Sequence, residues 1–366
     1  MFASIRKFIK SLLYPLYEWR LAKSLDFSKT PHHVGVILDG NRRWAKSNPT
    51  LNDPHGHKAG ASKIIDFLGW CDDAQVKVVT LWLLSTDNFK RSQEEIDEII
   101  IPRMCNAGWN SGIHDASTFI VADPDGFFVG ELDGKPIACV SAVRYDDSFA
   151  FFGCYLVDEA YRGYGYGMAA HEMARKHVVG CVQGGDAVLE NITKYQQIGR
   201  VAKYRNTRFE GVAPSAMHGE KDVSAIDIRS VDLQQIALLD RACFPAPRIA
   251  FLRAWFSQPD GSGFAVMNGE SVEGFGFIRK CFQCHKIGPL FAKTPTAADA
   301  IYRSLISTIR PGELFWLDVP EPNENALDLV KRNGMKEVFA TMRTYTGTPP
   351  ALRLDWIYGI TTFELG

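Results

Sequence analysis

Two short runs hold residue types that handle anions, and each follows an apolar stretch. The first is Asp39-Gly40-Asn41-Arg42-Arg43-Trp44, directly after His33-Val34-Gly35-Val36-Ile37-Leu38. A glycine lets backbone N–H groups approach oxyanions, arginine grips phosphate through two parallel bonds, and an acid can hold Mg²⁺ between diphosphate oxygens. Asp39 is therefore a candidate metal ligand. The second run is Tyr161-Arg162-Gly163-Tyr164-Gly165-Tyr166-Gly167. A glycine-rich turn that opens a helix presents unpaired N–H groups and a positive dipole end, with no Cβ atoms in the way. A dinucleotide loop sits inside a βαβ unit. This one follows an antiparallel meander, which favours a CoA pyrophosphate. A third pattern, Cys281-Phe282-Gln283-Cys284-His285, has haem-attachment or zinc-pair spacing. It lacks a second metal pair, and alternation on a strand would put Cys284 on the face opposite Cys281 and Gln283, so no metal is expected there.

These runs need elements to position them. A buried strand ends at Leu38, and a helix follows Gly56-His57-Lys58-Ala59-Gly60. A second strand over 76–84 runs into Ser85-Thr86-Asp87-Asn88-Phe89-Lys90-Arg91, and Ser92 with Glu95 forms a capping box for the next helix. That order begins a parallel sheet. No Gly/Ser-rich or Pro-rich linker separates Glu98 from Trp109. Apolar runs at 127–132 and 137–144 flank Asp133-Gly134, a hairpin signal. A third strand spans about 149–157, and a helix spans about 168–177. Beyond residue 224 the pattern predicts a strand at 225–229, a helix at 233–243, strands at 264–267, 274–279 and 314–319, and helices near 297–309 and after Asn323. This order weakly repeats the middle segment.

The opening third resembles the cis-prenyltransferases, the undecaprenyl and short-chain Z-isoprenyl diphosphate synthases. HVGVILDGNRRWAK, GHKAG and LWLLSTDNFKRSQEEID are similar to three of that family's signatures, in order. The resemblance implies that Asp39 is the catalytic, Mg²⁺-associated acid. It also implies that Gly40, Asn41 and Arg43 bind the allylic isoprenyl diphosphate, and that His57, Asn88 and Arg91 assist. It stops near Ile100, and the family's later R-x-G-G-E-x-R-x-S-N signature is absent. A half-sheet leaves open edges, and fold-level analogy does not supply missing site residues, so the segment also reads as a remnant without chemistry.

The middle segment resembles the GNAT acetyltransferases, and the wider run WNSGIHDASTFIVADPDGFFVGELDGKPIA looks like a two-domain subgroup. R-G-Y-G-Y-G matches the family's R-x-x-G-x-G loop at Arg162, Gly165 and Gly167, and Asn191, Tyr195 and Gly199 match its N…Y-x-x-x-G element. The resemblance implies that the 162–167 backbone, Gly163 included, cradles the acetyl-CoA pyrophosphate. Backbone groups of 153–157, among them Tyr155 and Val157, would pair with the pantetheine arm, with Asn191 nearby. Tyr195 would be the general acid that protonates the departing thiolate. A phenol with a pKa near 10 suits that task. Two departures stand out. Arg200 occupies a position that is usually an apolar aromatic, and the first GNAT strand is not recognisable before Trp109. Strand 76–84 with the helix from Ser92 would supply the missing start. Glu131, Asp158 and water remain open as the base. The third segment resembles a second GNAT-like domain. Its phosphate-loop position reads Lys286-Ile287-Gly288-Pro289-Leu290, where Pro289 lacks an N–H, so CoA binding is not expected there.

The chain of 366 residues is 46% hydrophobic and 23% charged, which excludes a collagenous or wholly disordered chain. A net charge of -1 gives no basic field for nucleic acid. Eight scattered cysteines read as reduced thiols in a cytoplasmic protein. Residues 1–25 form an amphipathic basic helix, which packs on the following domain or lies peripherally on a membrane. The expectation is an α/β chain: a partial parallel βα unit at 1–100, then tandem GNAT-type mixed α/β domains at 101–215 and 224–366. Its expected activity is acetyl transfer from acetyl-CoA to a small amine or polyamine-like acceptor. The alternatives are Mg²⁺-dependent isoprenyl diphosphate condensation and a non-catalytic CoA- or diphosphate-binding protein.

Overall fold

Valine-rich runs fit a pleated surface, and the first two pair with each other. Strand β1 (His33–Ile37) lies parallel to β2 (Val78–Trp82) from His33↔Val78 to Ile37↔Trp82. Helix α1 (His57–Asp73) forms the crossover between them. The computed structural model describes residues 29–37, 57–82, 96–132, 135–215 and 223–366, with isolated positions at 17, 20, 23 and 26. The chain divides into two compact units, Met1–Asn88 and Phe89–Gly366. Of the amphipathic opening, Tyr17, Arg20 and Lys23 are described, all helical and exposed.

The first described residues of the larger unit form a π-turn, Ile96–Ile100, that runs into α2 (Ile101–Asn106). Ile96, Ile100, Ile101 and Met104 recur at helical spacing and are buried in the core. Helix α3 (Asp115–Ala122) follows, then the meander β3 (Phe127–Leu132), β4 (Lys135–Arg144) and β5 (Phe149–Val157). Helix α4 (Tyr166–His177), β6 (Val182–Val188), α5 (Ile192–Gln197) and β7 (Arg200–Val212) complete the first half. The second half repeats the order with β8 (Ile226–Asp227), α6 (Leu233–Cys243), α7 (Ile249–Phe256), β9 (Gly261–Asn268), β10 (Ser271–Lys280), β11 (His285–Ala292), α8 (Pro295–Ile306), β12 (Leu314–Pro320), α9 (Glu324–Arg332), β13 (Lys336–Thr346) and β14 (Ile357–Gly359).

The halves are interlocked through one sheet, ordered β3-β4-β5-β6-β13-β7-β12-β11-β10-β9-β8, with β14 beside β11. Each half gives its last long strand to the other. β13 pairs with β6 of the first half, and β7 pairs with β12 of the second. β13 and β7 then lie antiparallel at the centre. The arrangement is symmetric about that central pair, except that β8 on one edge has no described counterpart beside β3 and β14 beside β11 has none beside β5.

Two expectations change here. The strand at 76–84 was expected to supply the missing first GNAT strand, but β2 takes its backbone partners from β1 instead. Of the helix expected from Ser92, residues 92–95 lie outside the described residues, and the chain is helical over 96–106. The strand expected at 225–229 shrinks to Ile226–Asp227, because the Asp227 side chain accepts from the Arg229 N–H and turns the chain into a 3₁₀ segment.

Candidate functional site

The sheet opens at β5. Cys154 adopts φ 48° at a bulge between the pairs Cys139↔Leu156 and Ser141↔Gly153. Bulges bend and twist the strand that carries them. β6 follows β5 in parallel from Phe149↔Val182 to Phe152↔Gly185, where the pairing ends. Beyond that point lies a cleft of about 650 Å³, with Tyr155, Leu156 and Val157 on one wall and Asp186 and Val188 on the other.

The glycine-rich loop closes the cleft mouth. Gly163 and Gly165 both sit at φ 86°, in the left-handed region that favours glycine. Gly165 is the N-cap of α4, and no side chain caps that helix end. Gly167 serves packing: a Cβ there would stand 2.8 Å from the Tyr155 hydroxyl and 3.0 Å from Val157 Cγ2. Arg162 lines the cleft and donates Nε–H to the Val157 carbonyl at 3.0 Å. That carbonyl is thus occupied within the chain, which was not foreseen for the 153–157 backbone. Asn191 begins α5, and its Oδ1 accepts from Lys194 Nζ at 3.0 Å.

Tyr195 projects from α5 into the same cleft. Burial pushes its phenol up, and the nearby Arg200 charge works the other way. Burial and the neighbouring Tyr195 raise Tyr155 to about 12. Burial, then the Arg200 charge, lower His171. The sequence thus brings Arg162, Gly163, Gly165, Gly167, Tyr155, Val157, Asn191 and Tyr195 to one cleft. Glu131 and Asp158 are not among its lining residues, and Asp158 is held by Arg103 at 3.1 Å.

The inner end of the cleft leads to a narrow slot that sequence reasoning missed. Trp109, Gly153, Asp186, Arg208, Phe339 and Phe363 line it. Phe339 comes from the exchanged strand β13 and Phe363 from the buried segment 360–366. A Cβ on Gly153 would collide with the Glu364 carbonyl, so glycine is required for that segment to pass. Two arginine–aspartate pairs flank the slot. Arg343 grips Asp186 through bonds of 2.9 and 2.8 Å, and Arg208 grips Asp318 through bonds of 2.7 and 2.8 Å. The available signal was charge inside strands: Asp186, Asp318 and Arg343 interrupt apolar or neutral runs, whereas Arg208 is hidden among the other charges of β7.

The second half has the same opening, filled. β11 and β12 pair only from His285↔Phe315 to Ile287↔Leu317, and β14 then lies against β11. Ile360 N–H bonds to the Asp318 carbonyl, and a Cβ on Gly288 would strike the carbonyls of Ile360 and Thr361. Lys286-Ile287-Gly288-Pro289-Leu290 was expected at the phosphate-loop position but is part of β11. The true loop position is Lys293-Thr294, where the Thr294 side chain caps α8 itself. Residues 281–284 also differ from the expected strand. They form the turn between β10 and β11, closed by Cys281 N–H to the Cys284 carbonyl at 2.7 Å. Among the described residues no cluster of three metal-ligating side chains occurs.

Asp39, Gly40, Asn41, Arg43, Asn88 and Arg91 lie outside the described residues, as do the Ser92–Glu95 capping box and the Asp133-Gly134 turn. The backbone of His57 opens α1, and its side chain is likewise outside them.

Comparisons with known proteins assign the chain to two different families. Residues 93–194 match the Acetyltransferase (GNAT) family model and residues 236–359 an Acetyltransferase (GNAT) domain model. Residues 37–111 match the undecaprenyl diphosphate synthase model, so the two patterns overlap over 93–111. The holothin acyltransferase of Pseudoalteromonas sp. is 29% identical over 258 residues, covering 70% of this chain and 87% of that protein. The (2Z,6E)-farnesyl diphosphate synthase of Thermobifida fusca is 54% identical over 102 residues. The chain spans 40% of that synthase and 37% of isoprenyl transferase 1 of Streptomyces avermitilis. Among solved structures, an acetyltransferase of Pyrococcus horikoshii superposes with a TM-score of 0.63 at 21% identity, over 77% of this chain and 94% of that one. A tandem GNAT protein from the clavulanic acid biosynthesis pathway gives 0.50 at 12% identity, over 73% and 98%. The chain therefore carries tandem GNAT domains behind a truncated prenyltransferase-like segment, and it is a transferase. The GNAT fold implies an acyl-CoA donor in general.

Proposed function

We propose that the chain transfers an acetyl group from acetyl-CoA to the nitrogen of a small amine. The observation that carries this reading is the open wedge between β5 and β6, with the Gly163–Gly165–Gly167 loop at its mouth and Tyr195 inside it. The unpaired N–H groups that open α4 suit a pyrophosphate, and the glycines leave room for it. Tyr195 gives its proton to the leaving sulfur, while the wedge holds thioester and amine in one orientation. Asp186 is already paired, so no side-chain carboxylate of the cleft lining is free to act as base. Water takes the amine proton.

The slot at the inner end favours the reacting end of a compact, uncharged amine over a polyamine-like one, because it offers only about 20 Å³, its one lining acid, Asp186, already has an arginine partner, and Trp109, Phe339 and Phe363 give it aromatic walls. Holothin, named for the relative, heads the acceptor panel. The test is thiol release from acetyl-CoA over that panel with wild type and Tyr195→Phe. Acceptor-dependent release that drops about a hundredfold or more in the variant supports the reading. Absence of both acetyl-CoA binding and turnover overturns it. Farnesyl products that depend on Asp39 would instead favour prenyl transfer.

A further inference from the structure

Beneath the floor of the cleft lies a cation of an unusual kind for this protein. Arg200 opens β7 directly after Gly199, and it is 3% exposed. The other buried arginines, Arg208, Arg248, Arg279 and Arg343, each grip an aspartate. Among the described residues Arg200 has no carboxylate within ion-pair distance. Its Nη1 reaches Thr344 Oγ1 at 3.4 Å, its guanidinium lies 4.9 Å from the Phe152 ring centre, and its Nη2 has no hydrogen-bond partner. A charge buried without a counter-ion is costly, so its place calls for a group that becomes negative.

Around it stand Tyr195 from α5, His171 from α4, the Phe152 ring from β5, the Gly185 backbone from β6 and Thr344 from β13, with Tyr155 next to His171 and Tyr195. Lys194, beside Tyr195, is engaged by Asn191, and Asp186 across the cleft belongs to Arg343. His171 is kept neutral by burial and by Arg200. Tyr195 is the member of this set that acquires negative charge if it acts as an acid.

We infer that Arg200 is a positioning residue for Tyr195, its buried charge holding the phenolate that forms when Tyr195 gives up its proton. This rests on the reading of Tyr195 as general acid. In that step the amine nitrogen forms its bond to the thioester carbonyl carbon and loses one proton to water. The C–S bond breaks, and the sulfur keeps the electron pair and takes the Tyr195 hydroxyl proton. Water then reprotonates the phenolate. Burial lowers Arg200 and Tyr195 opposes that shift, and a guanidinium keeps its charge through the range in which a phenol titrates.

The experiment is NMR titration of the full chain labelled at tyrosine ¹³Cζ, with the Tyr195 signal assigned by Tyr195→Phe. Wild type, Arg200→Lys and Arg200→Gln are compared, after thermal melts show that each folds. The expected result is a Tyr195 titration about one pH unit or more higher in Arg200→Gln and near wild type in Arg200→Lys. In the acetyl-CoA assay the alkaline fall of kcat should move the same way, and its plateau should drop about tenfold or more. An unchanged Tyr195 titration in Arg200→Gln refutes the inference, as does a lower plateau with an unmoved alkaline fall. The titration needs no turnover, so a wild type inert toward acetyl-CoA would refute the function proposed above while the titration still decides this pairing.

Discussion

Asp115 and Arg279 offer the most quantitative test of how the two halves hold together. Asp115 opens α3 in the first half, and Arg279 lies on β10 in the second. Arg279 Nε and Nη2 donate to the two carboxylate oxygens at 2.7 and 3.0 Å, and the Gly112 N–H adds a third bond at 2.7 Å. The side chains are 1% and 0% exposed, and the guanidinium stacks 4.3 Å from the Trp255 ring centre. Asp115→Asn keeps an oxygen for Gly112 but leaves a buried cation without its counter-charge. Removing one partner of such a pair costs about 3–5 kcal/mol. At about 2 cal/mol/K per residue over roughly 280 residues, the melting entropy is near 0.6 kcal/mol/K, so Tm should fall by about 5–9 °C. Arg279→Gln should cost a similar amount. The double variant restores a neutral pair and should recover most of either loss, because a matched polar pair leaves no lone buried charge. Urea and thermal melts of the four proteins measure this cycle. Single variants within about 1 kcal/mol of wild type, or a double variant as poor as the sum of the singles, would refute the reasoning.

Gly167→Ala should lower acetyl-CoA affinity about tenfold or more by forcing α4 off Tyr155 and Val157, read by calorimetry beside an unchanged far-UV spectrum. Phe363→Ala should widen the slot, raising KM for the amine about tenfold while leaving acetyl-CoA affinity alone, which steady-state kinetics with either substrate varied would separate. Burial pushes Asp318 up, but the facing Arg208 holds its carboxyl below the usual range. The stability it contributes is therefore present above about pH 4 and is lost as pH falls through the lower folded value. Asp318→Asn should weaken the protein at pH 7 and flatten the acid side of its stability profile, as urea melts between pH 3 and 7 would record.

Much of this site was legible because it is local in sequence. A strand, a glycine-rich turn and a helix within 149–177 announce themselves by periodicity and residue type, and Tyr195 follows at a fixed interval. Several second-half elements, among them 233–243 and the helix after Asn323, were legible for the same reason. The slot was not, since Trp109, Arg208, Phe339 and Phe363 are drawn from positions spread over some 250 residues. No local pattern says that β13 leaves its own half to pair with β6. The second half shows a different limit. Pro289 suggested a lost phosphate loop, but it lies on β11, and what distinguishes this half is the backbone of 357–361 lying in the wedge. The strand at 76–84 was correctly read as a strand and wrongly given its neighbour, because a β-run declares its own extension and not its partner.

The exchange of β7 and β13 also sets an order of events at the ribosome. Domains usually fold as units while the chain emerges, N-terminal first. Here the first half holds its loop and Tyr195 by residue 200, yet β6 meets its partner only when residues 336–346 have appeared, and the slot gains its wall only with 360–366. Over that interval the open side of β6 is an unpaired strand edge, a template for the wrong neighbour. Maturation of the site is thus a late event in synthesis, and the second half, whose own wedge is filled, acts as the delayed closure of the first.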